Sequence, residues 1–156
     1  MTTKTVSPAT VDVGLFVLRL ALGGVMIAHG YQKLFVNGLA GTQQGFTGMG
    51  APLPEVTGVL VVLLELGGGV AIILGLLTRV IALLFAATMA GALVLVHLPN
   101  GFYASDGGYE LVALLGLVGI ALALAGAGRF SVDRAFVGRR RAKREVRQDE
   151  KVPAAA

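Results

Sequence analysis

Four stretches of this chain are apolar for as long as a helix needs to cross a bilayer. They cover residues 12–35, 58–77, 80–98 and 111–128. Each is about 20 residues, and at a rise of about 1.5 Å per residue such a helix spans a hydrocarbon core ~30 Å thick. The second, GVLVVLLELGGGVAIILGLL, holds Glu65 as its only charge; the third, VIALLFAATMAGALVLVHL, has only His97 ionisable; the fourth, LVALLGLVGIALALAGAG, has no ionisable residue. A helix of a soluble bundle keeps one polar face for water with a 3.6-residue period. The third and fourth stretches have no such face. The reading is an all-α integral membrane bundle of four transmembrane helices, at about 12–36, 56–77, 79–98 and 109–128.

The remaining segments follow from this frame. Residues 1–11 are polar and short, and are read as a disordered N-terminal segment. Residues 37–54 are rich in glycine and end in Pro52-Leu53-Pro54, a composition too broken for a regular helix throughout. The transmembrane domain is thus expected over 12–136, with a basic tail at 137–156. The first apolar run carries Arg19, continues into His29-Gly30-Tyr31-Gln32-Lys33 and has no small-residue cleavage site, so it is expected to be retained rather than removed as a signal peptide.

Charge is scarce and lopsided. Only 14% of residues are charged, against 55% hydrophobic and a mean hydropathy of +0.79. Of the 13 Lys and Arg, nine follow Gly128: Arg129, Arg134, Arg139, Arg140, Arg141, Lys143, Arg144, Arg147 and Lys151. The net charge of +4 therefore describes a tail and not a nucleic-acid-binding body. Beside an apolar helix such a tail sits against anionic lipid headgroups. The tight turn between the second and third helices holds Arg79, whereas the loop PNGFYASDGGYE has neither Lys nor Arg. By the positive-inside rule, the tail and the Arg79 turn face the cytoplasm, and an even helix count places the N-terminus there too. The chain contains no cysteine, which excludes disulfides, thiolate nucleophiles and iron–sulfur ligation.

Ionisable side chains inside a bilayer need a partner or a purpose. Arg19, Gly23, Met26, Gly30 and Lys33 recur at helical spacing, and Glu65 shares a face with Gly68 and Gly69. Small residues let helix backbones approach in lipid, so these faces point into the bundle. Counted from the helix ends, Glu65 falls in height between Arg19 and His29. Two readings stand: an Arg19–Glu65 ion pair that fixes helix register, or a polar pocket for a quinone headgroup or a proton relay. His29 and Lys33 form an i, i+4 pair toward the other rim, where His97 closes the third helix and Glu110 opens the fourth. No HxxH or ExxH spacing supports a metal site, and none is expected. Tyr31, Tyr103 and Tyr109 read as interfacial anchors.

The blocks LRLALGGVMIAHGYQKLF, LLELGGGVAIILGLLTR, VHLPNGF, GYELVALL and FSVDR, with a glycine-rich loop ending in PLP, resemble the DoxX family from about Asp12 to Phe136. The resemblance implies a four-helix bacterial inner-membrane protein that anchors an oxidoreductase complex, is not catalytic alone, and presents a quinone site. Relatives include membrane subunits of a thiosulfate:quinone oxidoreductase, and others linked to superoxide dismutase and a sulfurtransferase in oxidative or thiol stress. The polar positions carried over are Arg19, His29, Lys33, Glu65, Arg79, His97 and Glu110. The absence of cysteine removes thiol–disulfide exchange from this chain itself. The alternatives are a small-solute or ion transporter, motivated by the same charges, and a non-catalytic membrane scaffold with partners on the tail. Homo-oligomerisation is compatible with each.

Overall fold

A serine followed by proline starts a helix well, because proline's fixed φ suits the first turn and its missing N–H needs no partner there. In the computed structural model, which describes residues 7–136, Ser7 is the N-cap and α1 runs Pro8–Val36. Residues 8–11, expected to be disordered, form its first turn. Residues 1–6 and the basic tail at 137–156 lie outside the described residues.

Helix α2 is Gly38–Gly48, α3 is Pro54–Leu74, α4 is Thr78–Asn100 and α5 is Glu110–Ala125. A single 3₁₀ turn, Ala104–Asp106, lies between α4 and α5. α1, α3 and α4 are each long and apolar enough to cross a membrane; α5 has 16 residues, about 24 Å of helix, and is shorter. These four helices alternate in direction, so both ends of the described chain emerge at one end of the bundle, with Arg79, Arg129 and Arg134. This is called the basic end below, and the other the loop end. The chain is an all-α membrane protein.

Close backbone contacts set the register. α1 packs along α3, and α4 along α5. A Cβ on Gly23 would lie 2.7 Å from the Gly69 carbonyl oxygen, and one on Gly69 would lie 2.9 Å from the Gly23 oxygen. Higher up, a Cβ on Gly30 would lie 3.0 Å from Glu65 Cβ. Between these pairs sits the core: Leu22, Met26 and Ile72, continued across to Phe85, Leu115 and Leu122. Lipid offers no hydrophobic gain to helix association, so dispersion between such closely approaching backbones must hold the pairs together.

With Gly30 level with Glu65, α3 extends beyond the end of α1 at the loop end. The glycine-rich segment, expected not to be helical throughout, covers that protruding length with α2 and is turn and bend over 49–53. Gln43 sits 3.2 Å from where a Gly58 Cβ would be, Gln43 Nε2 donates to Glu55 O (2.9 Å), and Thr42 Oγ1 donates to Lys33 O (2.7 Å). Packing on both neighbours overrides the helix-breaking tendency of Gly41 and Gly45.

At the basic end, the segment after α5 ties the helices together. Gly75 ends α3 in the left-handed region (φ 71°), with Leu76 N–H donating to Ala71 O and Gly75 N–H to Ile72 O, a Schellman closure. Asp133 Oδ1 and Oδ2 then accept from the N–H groups of Leu77 and Thr78 at 2.8 and 2.9 Å, capping α4 from across the chain. Asp133 N–H donates to Gly75 O (2.9 Å), and Arg129 N–H donates to the buried Asp12 (2.8 Å).

Candidate functional site

Arg19 and Glu65 do not pair. Glu65 lies level with Gly30, eleven residues and about 16 Å along α1 from Arg19. Lys33, less than one turn beyond Gly30, is the residue within reach. Its Nζ sits 2.8 Å from both Glu65 oxygens, with the lysine side chain 23% exposed and the glutamate 3%. Counting heights from the helix ends misplaced Glu65, because the glycine contacts set the register and the helix ends are not level.

Arg19 instead closes the other end of α3. It is fully buried, and its guanidinium donates to Ile73 O (3.2 Å), to Ile72 O (3.5 Å) and to Phe130 O, while stacking on the Phe16 ring with its Cζ 5.4 Å from the centroid. The last carbonyls of a helix lack partners and carry the negative end of its dipole, so a cation with a planar fork of donors belongs there. A Cβ on Gly75 would collide with Arg19 Nη1, so this turn needs glycine for space as well as for φ.

The pair Lys33–Glu65 borders a cavity of about 940 Å³ toward the loop end. Met26, Val61, Leu64 and Leu115 supply apolar wall, and Phe46, Met49 and Pro52 from α2 and the following turn roof it. Leu84, Val94 and Leu95 line it as well and are exposed on the outside of the bundle, so its mouth faces lipid. His29, His97, Thr57 and Thr88 add to its polar lining. His97 Nδ1 hydrogen-bonds Gly107 O at 2.7 Å; a carbonyl only accepts, so Nδ1 carries a proton. An ammonium has three donors, of which Glu65 takes two, leaving one on Lys33.

Four of the six residues expected at a polar centre thus meet around one cavity: His29, Lys33, Glu65 and His97. Arg19 is at the basic end, and Glu110 turns into the loop, where Oε1 accepts from Ala104 N–H (2.7 Å). Arg79 lies at the basic end, on the first turn of α4. Among the described residues no group of three His, Asp or Glu side chains is placed to hold a metal.

One property of the site has no trace in hydropathy. Lys33, Glu65 and His97 each sit on a π-helical turn, at Gln32–Val36, Leu64–Gly68 and Leu93–His97. A π turn adds a residue to the helical circuit, at a cost to hydrogen-bond geometry, and such turns concentrate at functional sites. Here three helices carry one each, and each contributes an ionisable residue to the lining of the same cavity. Asp12 and Asp133 were also passed over as structural residues. Asp133 lies in the quoted FSVDR block, but nothing in that block reveals which helix it caps.

Comparison with known proteins agrees with the fold. The family model of DoxX matches residues 14–98. The chain is 36% identical over 122 residues to a Bacillus subtilis protein named "Putative oxidoreductase CatD", covering 78% of this chain and 86% of that one. It is 38% identical over 128 residues to the inner membrane protein YqjF of Escherichia coli, covering 79% and 92%. It is 30% identical over 125 residues to the inner membrane protein YphA of Escherichia coli, covering 77% and 88%. No solved structure matches the chain.

Proposed function

This chain belongs to the DoxX family, and from that premise we propose that it is the inner-membrane subunit of an oxidoreductase assembly whose loop-end cavity receives a quinone from the bilayer. The observation that carries the reading is the convergence of three π-helical turns, bearing Lys33, Glu65 and His97, on one apolar cavity that opens toward lipid. The word oxidoreductase in the name of one relative points the same way.

The lining suits such a ligand. A quinone ring is flat and apolar, with oxygens that accept hydrogen bonds. The cavity offers apolar walls, the remaining Lys33 donor and the two histidines, within the few hundred to 1,000 Å³ usual for small-molecule sites. When bound, the quinone would supply a two-electron, two-proton acceptor. The protein's part would be to hold the ring oxygens with His29 and with Lys33 Nζ, itself positioned by Glu65, and to pass both protons that the reduced ring takes up from water through these two donors. A chain without cysteine needs a partner protein for the donor half of the reaction, and a soluble protein of superoxide dismutase or sulfurtransferase type is the class proposed. The basic end faces the cytoplasm in this reading, since it carries the excess of arginine.

Gly91 gives the test. It lines the cavity, and a Cβ there meets nothing within 4 Å. Gly91→Leu should fill the space, raise the helix propensity of α4 by about 1 kcal/mol, and leave the bundle folded. Calorimetric titration of the purified chain in nanodiscs with a short-tailed quinone should show binding that Gly91→Leu abolishes and His29→Ala weakens about tenfold, the loss of one hydrogen bond. Equal affinity in all three proteins, or none in the unaltered one, refutes the site.

A further inference from the structure

The basic end holds a second large cavity, of about 980 Å³, that the quinone reading does not use. Its walls are the turn from α3 into α4, with Leu76, Leu77 and Thr78, and the segment after α5, with Gly126, Ser131 and Phe136. Arg79 and Arg134 both line it and are both exposed. Neither side chain forms an ion pair or hydrogen bond among the described residues. Arg79 lies along the Gly126 backbone, its Nε 3.3 Å from where a Cβ would be; this puts the guanidinium over the C-terminal end of α5.

Two further features separate this cavity from an ordinary charged surface. Thr78 on its wall is fully buried, and its hydroxyl has no hydrogen-bond partner. The one carboxylate on the wall, Asp133, already accepts from two backbone N–H groups, and the two guanidiniums outnumber it. The remaining wall is apolar, as the acyl end of a lipid requires.

We propose that this cavity binds the phosphate headgroup of an anionic glycerophospholipid, with Arg79 and Arg134 on the phosphate oxygens and the chains lying over Leu76, Leu77 and Phe136. Arginine's planar fork of donors matches phosphate, and the position at the end of the bundle is where headgroups lie. The site makes this chain responsive to the anionic lipid content of its membrane, separately from any pull exerted by the basic tail.

Native mass spectrometry of the full chain, released from mild detergent with phosphatidylglycerol or phosphatidylcholine added, tests this. One phosphatidylglycerol per chain should be retained in preference to phosphatidylcholine. Arg79→Gln with Arg134→Gln should lower that retention about thirtyfold, and Arg134→Gln alone about fivefold. Arg134 is exposed, so the thermal midpoint of Arg134→Gln in phosphatidylcholine should not move; because the tail is intact throughout, the difference belongs to the cavity. Equal retention by all three proteins overturns the proposal. Displacement of the lipid by millimolar inorganic phosphate overturns it in favour of a free-phosphate site.

Discussion

Removing Lys33 should do more harm than removing both Lys33 and Glu65. Lys33→Met leaves the Glu65 carboxylate, 97% buried on its side chain, with no counter-charge at intramembrane depth. Breaking a buried pair from one side costs about 3–5 kcal/mol, and because Lys33 is 23% exposed the lower end is expected, about 3. Glu65→Leu leaves an ammonium that can reach the cavity, at about 1–2 kcal/mol, and the double variant, with no charge at the site, should lie within about 1 kcal/mol of the original. The resulting coupling is about 3–5 kcal/mol. Arg19→Met supplies the control. Its partners Ile72 and Ile73 lie at least seven residues along α3 from Glu65, about 10 Å, so its coupling to Glu65 should stay within about 0.5 kcal/mol. Denaturant-driven unfolding in mild detergent micelles, followed by circular dichroism, gives all the corners of both cycles. If Glu65 couples to Arg19 as strongly as to Lys33, the register set by Gly23, Gly30 and Gly69 is wrong and the site described above does not exist.

Asp133→Ala should destabilise the bundle by about 1–2 kcal/mol through loss of the cap on α4, visible as a lower thermal midpoint, while Asp133→Asn keeps part of it; no change in either would remove the C-terminal segment from the fold's supports. The orientation can be read directly because the chain has no cysteine of its own. A membrane-impermeant maleimide on intact cells should label Ser105→Cys in the α4–α5 loop and leave Ala135→Cys unlabelled until the membrane is opened; the reverse pattern would invert the topology.

The helices could be read from the sequence because a uniformly apolar run of bilayer length has few alternatives. Their ends were less legible: Pro8, Pro54, Gly75 and Gly126 mark them, but where a helix stops relative to its neighbour depends on packing. That dependence is why Arg19 was matched with Glu65, and why the helix in 38–48 was missed: its glycines argue against helix alone, and only the uncovered end of α3 argues for it. The cavity residues His29, Lys33, Glu65 and His97 could be named in advance because charge in an apolar run is conspicuous. Their π-helical placement could not, since the same residues form an α turn equally well in isolation.

Arg19 and Asp12 sit in the first helix to be made, yet their partners Phe130 and Arg129 lie 111 and 117 residues later. At about 5–20 residues per second, synthesis leaves these two buried groups waiting about 5–20 s. Until the segment after α5 has emerged, α1 carries a cation partnered only by Ile72 and Ile73 and an unsatisfied anion near its entry. A half-made chain is therefore marked as incomplete by its own chemistry, and a nascent protein interrupted before residue 129 should be recognised and cleared where a finished one is not.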